Sequence, residues 1–147
     1  MPTGALSSFG TLLKIGNGGT PTETFTTIAE VRDISGPSFA VGTEEVTNHD
    51  SAGWREYIPT LIEAGEVSFD VNFKGDATQG FASGSLYDDM IDKTKRNFQL
   101  VLPSGVGTTN DTAAFAGYVT GFELAAPVEG VLTASITIMI TGAVTWS

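Results

Sequence analysis

Residues Leu132–Thr141 read LTASITIMIT, so that Leu132, Ala134, Ile136, Ile138 and Ile140 alternate with Thr133, Ser135, Thr137, Met139 and Thr141. Successive side chains of an extended chain point to opposite faces, which makes this stretch a strand with one face in a core. The same period runs through Glu66–Phe73 (EVSFDVNF): Val67, Phe69, Val71 and Phe73 turn inward, and Glu66, Ser68, Asp70 and Asn72 outward. Phe115–Phe122 alternates too, but Gly117 and Gly121 interrupt one face. A glycine inside a strand marks a bulge or a close backbone approach. Asn97–Leu102 sends Phe98, Leu100 and Leu102 inward and stops at Pro103. Weaker strands at Thr11–Ile15, Phe25–Val31 and Phe39–Val46 complete a mainly β chain. Pro127-Val128-Glu129-Gly130 has turn chemistry and lies between the last two long strands, which predicts a C-terminal antiparallel hairpin.

One helix is expected, at about Ser85–Lys95. Ser85-Leu86-Tyr87-Asp88 has the form of a capping box with Asp in the Glu position. Leu86 and Met90 share a face, with Ile91 beside them. Asp88, Asp89 and Asp92 precede Lys93, Lys95 and Arg96, an order that complements the helix macrodipole. Gly16–Glu23 and Gly105–Thr112 read as small, polar loops. Asn48–Pro59 (NHDSAGWREYIP) reads as a loop of another kind, because it carries Trp54, Tyr57 and Ile58. It is long beside the usual connection of about 4–6 residues, and that much apolar surface calls for a partner.

The 147 residues fit one ordinary domain, large enough to need no disulfide or metal staple. Charged residues make up 16%, against about 25% in an average domain, which implies that neighbours cover part of the surface. The remaining charge is lopsided, with 17 Asp and Glu, 7 Lys and Arg, and a net of −10. No basic residue follows Arg96. Binding to nucleic-acid phosphates needs clustered Lys and Arg, so tight binding of that kind is excluded. The absence of cysteine excludes disulfides, thiol catalysis and thiolate metal sites. No signal-peptide pattern and no apolar run of membrane-spanning length is present, so no membrane role is expected.

Catalytic chemistry has no constellation to rest on. His49 is the single histidine, and Asn48-His49-Asp50-Ser51 reads as a polar turn with Asx-type hydrogen bonds. Triad members are brought together by the fold and are not consecutive in a loop. Asp50 alone does not complete a metal site with His49. The pairs Glu44-Glu45 and Asp88-Asp89 read as solvated surface acids. Gly16-Asn17-Gly18-Gly19 lacks the lysine of a phosphate-binding loop. No enzyme activity, cofactor or metal is expected.

Two further stretches carry a family likeness. Glu45-Val46-Thr47-Asn48-His49-Asp50-Ser51 is followed by Gly53-Trp54-Arg55-Glu56-Tyr57-Ile58-Pro59-Thr60-Leu61 and then Gly65-Glu66-Val67-Ser68-Phe69. Together they resemble the major tail tube proteins of long, non-contractile-tailed (siphovirus-type, lambda-like) phages. Gly10–Lys14 with Ile28–Val31 resembles that family's opening hairpin, and Phe115–Thr120 with Ile136–Gly142 its closing one. Thr60 stands where a glycine is expected; a positive φ there would strain a threonine.

The resemblance implies an antiparallel β-sandwich or barrel-like tail tube fold with one flanking helix, as a single unit over 1–147 without an appended immunoglobulin-like domain. It implies six copies per ring, rings stacked into a tube, and an acidic channel through which DNA passes without specific binding. Partners are further copies of the chain and the tape-measure, tail terminator and tip proteins. The place is the virion tail, assembled in the host cytoplasm. The segment 48–60 is then the ring-to-ring loop, with Asn48, His49, Asp50, Trp54, Arg55, Glu56, Tyr57 and Ile58 as contact residues, since Trp, Tyr and Arg dominate interfaces. Glu66, Asp70 and Glu123, the acids on strand segments, are the lumen candidates, and Trp146 is a terminal docking residue. Two other readings fit the residues: a monomeric β-sandwich that binds carbohydrate or decorates a virion through Trp54 and Tyr57, and a related secretion-tube protein.

Overall fold

The computed structural model describes residues 9–19, 22–28, 30–75, 79–103 and 112–147. The stretch Gly105–Thr112, read as a loop, lies outside them apart from Thr112. The two longest strands, β8 (Thr112–Ala125) and β9 (Thr133–Trp146), form the C-terminal hairpin across the turn at Pro127–Gly130. β9 continues past Thr141 to Trp146, beyond the alternating stretch that announces it.

β8 and β9 sit at the centre of a seven-stranded, wholly antiparallel sheet. On one side follow β7 (Arg96–Val101), β1 (Leu12–Gly16) and β2 (Phe25–Thr27); on the other, β6 (Glu66–Asn72) and β3 (Val31–Ser35). The register slips twice within the β8–β9 ladder, between Ala114 and Ala116 and between Val119 and Gly121. The two glycines of β8 therefore differ in role. Gly121 marks a bulge. Gly117 marks a close approach, because a Cβ there would lie 2.6 Å from the Met139 carbonyl oxygen.

The inward residues converge as their period requires. Val67, Phe69 and Val71 of β6 and Ala134, Ile136, Ile138 and Ile140 of β9 are buried, as are Leu13, Phe98, Leu100 and Phe115 across the sheet. Each buried Val, Leu, Ile or Phe is worth about 1.5–3 kcal/mol. The sheet curls around this core without closing. A cleft of about 620 Å³ separates Thr11, Leu100 and Leu102 at one end of it from Val31 to Ile34 on β3 at the other. Both edge strands are short, which limits stray pairing.

The stretch read as one strand, Phe25–Val31, is two. Glu30 takes a positive φ of 54°, which breaks the extended chain and sends β2 to one edge of the sheet and β3 to the other.

The helix, α1 (Leu86–Asp92), is shorter than its sequence pattern. Ser85 caps it by accepting the Asp88 backbone N–H at 3.3 Å, and the Asp88 carboxylate reaches back to the Gly84 N–H at 2.9 Å. It stops because Lys93 turns left-handed at φ 58°. Lys93, Lys95 and Arg96 therefore lie past its end and do not extend it. Leu86 is buried, whereas Ile91 is 57% exposed and is no core residue.

Asp89 also departs from its reading as a solvated acid. It is 3% exposed and pairs with Arg96 Nε at 3.1 Å. Arg96 donates in addition to the Gly16 carbonyl at 2.7 Å and the Gly84 carbonyl at 2.9 Å, so one side chain ties β1, the helix entry and β7 together. Phe73, Phe81, Tyr87 and Phe122 pack ring to ring beside the helix, with Phe81 and Tyr87 at 5.1 Å.

Candidate functional site: a projecting arm and an open acidic face

β4 (Ala40–Glu45) and β5 (Tyr57–Glu63) pair only with each other and form a second, two-stranded sheet. The segment Asn48–Pro59 is thus not all loop, since Tyr57, Ile58 and Pro59 begin β5. Pro59 hides the strand in the sequence, because proline is rare in strands; it is tolerated here since β5 has an open edge. Every residue of β4 and of β5 is exposed.

This arm leaves the main sheet at a defined joint. Gly36 has φ 104° and Gly65 φ 72°, both in the left-handed region. A Cβ on Gly36 would collide with the Glu66 carbonyl, and one on Gly65 with the Ser38 carbonyl. The Ser38 N–H donates to the Ala64 carbonyl at 2.9 Å, and the Ile140 N–H to the Gly65 carbonyl at 3.0 Å, which anchors the joint to β9.

Within the arm the register slips between Val41 and Thr43. Gly42 lies against Thr60 at that slip, and a Cβ on Gly42 would come within 2.7 Å of Thr60 Oγ1. Thr60 is not among the residues with positive φ. The strain foreseen at this position is absent; the small residue stands across the ladder instead.

The arm's tip is held by its own hydrogen bonds. Ser51, 6% exposed, donates from Oγ to Glu56 Oε2 at 2.5 Å and accepts the Asn48 N–H at 3.0 Å. Asn48 Oδ1 accepts the Asp50 N–H at 2.8 Å, the Asx turn expected of this tetrapeptide. Thr47 Oγ1 accepts the Glu56 N–H at 2.8 Å. Ala52 and Gly53 turn left-handed, and the Trp54 N–H then donates to the Ser51 carbonyl at 3.0 Å.

Asn48 and Glu56 therefore build the tip, while His49, Asp50 and Arg55 lie exposed on it. Trp54 is 77% exposed, and Tyr57 and Ile58 are about half exposed, so none of the three folds back onto the core. The arm also presents Phe39, Val41, Leu61 and Ile62, all exposed, which a reading of 48–60 as a loop overlooks. The largely apolar stretch YIPTLIE is the signal of Leu61 and Ile62 in the sequence, and the weak strand Phe39–Val46 that of Phe39 and Val41.

A second feature lies on the main sheet. Glu66 pairs with Met139, which pairs with Tyr118; Asp70 pairs with Ser135, which pairs with Glu123. Directly paired residues share a face, so Glu66, Asp70 and Glu123 stand on one side of the sheet, opposite the core. Ser135 Oγ donates to Asp70 Oδ1 at 2.6 Å. Ser68, Thr120, Thr133 and Thr137 line the same face, which nothing in the described chain covers. Lys14 stands there too, on β1. Trp146 ends β9 opposite Ala113, and Ser147 exchanges two backbone hydrogen bonds with Thr112 at 2.9 and 3.0 Å.

Among the described residues no group of three or more His, Asp and Glu side chains could hold a metal ion. No described helix is long and apolar enough to cross a membrane.

The family model described as Lambda phage tail tube protein, TTP, matches residues 14–147. Among solved structures, a chain from the virion of a native gene transfer agent particle shares 21% identity at a TM-score of 0.72, over 97% of this chain and 99% of that one. A chain from the tail of an empty gene transfer agent particle, computed with helical refinement and C6 symmetry, shares 23% identity at 0.70, over 92% and 95%. The SPP1 tail tube shares 15% identity at 0.62, over 90% and 73%. No curated protein matches by sequence.

Proposed function

The chain belongs to the lambda phage tail tube protein family, a structural protein of the virion tail and not an enzyme, and from that premise we propose how its copies build the tube. Six copies close into a ring, rings stack through the β4–β5 arm, and the acidic face of the main sheet lines a channel for DNA. The tape-measure, terminator and tip proteins are the chain's further partners in this reading.

The observation that carries this reading is the arm. A lone two-stranded hairpin is marginal in water, and this one keeps Trp54, Leu61 and Ile62 at 77%, 85% and 74% exposure. Nothing in the described chain covers it, and in this reading a neighbouring copy does. Ring closure likewise supplies neighbours for the edge strands β2 and β3. The low charge content, 16%, fits a subunit walled in on several sides.

The open face supports the channel. A duplex carries about one charge per 1.7 Å, and a basic wall would bind it and stall its passage. Glu66, Asp70 and Glu123 outnumber Lys14 on a surface otherwise rich in Thr and Ser and give DNA little to hold. Screening confines the effect to roughly 8 Å at physiological salt, so the acids act as an anti-adhesive lining. Family membership favours the tube subunit over the monomeric binding module and the secretion tube.

Negative-stain microscopy of concentrated purified protein tests the reading. Six-fold rings or hollow tubes are expected, and a species that stays monomeric at every concentration would refute it.

A further inference from the structure

Resting on the stacked-ring reading above, we infer that the β8–β9 turn of one copy is the seat for the β4–β5 arm of the copy in the next ring. A polymer that grows without limit along one axis needs two different surfaces at opposite ends of its subunit; a single self-complementary surface closes into a dimer instead. The arm is one of the two, and the strand β6 locates the other. Its first residue, Glu66, follows directly on the joint of the arm. Its last, Asn72, pairs with Thr133 at the start of β9, beside the turn. Arm and turn are therefore separated by the length of β6, seven residues or about 20–23 Å.

That far end is apolar where a turn in water is normally polar. Val128 is fully exposed, Val131 is 61% exposed, and Leu124 and Leu132 are 43% and 40% exposed. Nothing in the described chain covers them, as nothing covers the arm. One ion pair of each polarity is open to the contact as well. The arm carries Glu44, Glu45, Asp50, Glu56 and Glu63 against Arg55. Lys74 is exposed next to Phe73, whose N–H donates to the Leu132 carbonyl beside the turn at 2.9 Å, and Glu129 in the turn is there for Arg55.

The chain has no cysteine, so the contact can be trapped without background. A His49→Cys, Ala126→Cys double variant, assembled and treated with a short bis-maleimide, should give a ladder of covalent species that runs past six copies. Either single variant should stay uncrosslinked. A ladder that stops at six would put the arm on a lateral neighbour, and tubes without any ladder would put it elsewhere; both overturn the inference. Tubes failing to form from the unmodified chain would instead overturn the reading on which it rests. Val128→Asp, at a fully exposed position, should leave single rings and cut the yield of tubes roughly tenfold or more; unchanged tube yield would also overturn the inference.

Discussion

Ser51 Oγ lies 2.5 Å from Glu56 Oε2, and this bond, made by one of the few buried polar side chains, spans the tip of an otherwise uncovered arm. It presents Trp54 on a preorganised knob, and preorganisation lowers the ordering cost of any contact the arm makes.

Ser51→Ala should therefore weaken assembly without unfolding the sheet. Hydrogen bonds to charged groups are worth about 1.5–3 kcal/mol. Amide hydrogen exchange should speed up between residues 46 and 56 and stay unchanged in β8 and β9. Tubes should form only at higher protein concentration.

Trp54→Ala removes the most exposed aromatic of the arm tip. Interface tryptophans cost about 2–4 kcal/mol on truncation. The melting temperature of the unassembled chain should hold, and tubes should vanish from micrographs. Normal-length tubes from this variant would argue against the arm as the stacking element.

Gly65→Ala places a Cβ against the Ser38 carbonyl at a positive φ. A strained residue of this kind costs about 1–3 kcal/mol. Thermal unfolding should shift down by roughly 4–10 °C in a chain of this size, and Gly36→Ala should behave alike.

Asp89 gives a pH dependence of defined sign. Burial pushes its carboxyl above the ordinary value of 3.8, with Arg96 opposing and Asp88 and Asp92 adding to the rise. A group whose folded-state pKa is raised adds stability below the unfolded value and loses it as pH climbs through the folded one. Asp89→Asn should gain on the parent chain as the pH is raised from about 4 toward neutrality, measured by urea unfolding at stepped pH. Arg96→Ala strands the buried acid and should cost about 3–5 kcal/mol at neutral pH.

Glu66→Lys, Asp70→Lys and Glu123→Lys together turn an anti-adhesive face into a basic one. Rings and tubes should still form, because these side chains face away from the core. Genome ejection in vitro should slow, and the delay should shrink as salt is raised. Delivery at the parent rate would place these acids outside the channel.

The strands whose burial is decided by the chain itself were readable in advance. β6 and β9 alternate because one face meets the core, and their inner residues are the ones buried. β5 was not readable, since a strand exposed on both sides has no alternation to show and Pro59 argues against it. The helix ran long in the sequence because Lys93 and Lys95 suit a helical C-terminus by charge, while a left-handed Lys93 depends on local backbone geometry that composition does not reveal. Asp89 escaped because its partner Arg96 lies beyond the helix on another element. At the candidate site, Trp54 and Tyr57 stood out by type. The scaffolding role of Ser51 did not, since a serine among polar neighbours looks solvated.

The register slips of the β8–β9 ladder bear on the shape of the assembled object. A bulge inserts whole residues, one on β8 at Thr120 and two on β9 between Thr141 and Thr145, and has no half-measure. The curl of this sheet is consequently written in integer steps between Ala114 and Gly121 and is not left to elastic compromise among neighbours. On the stacked-ring proposal, copies that meet edge to edge arrive with the same curvature, and a pipe assembled from them keeps one bore along its length, however many rings it contains.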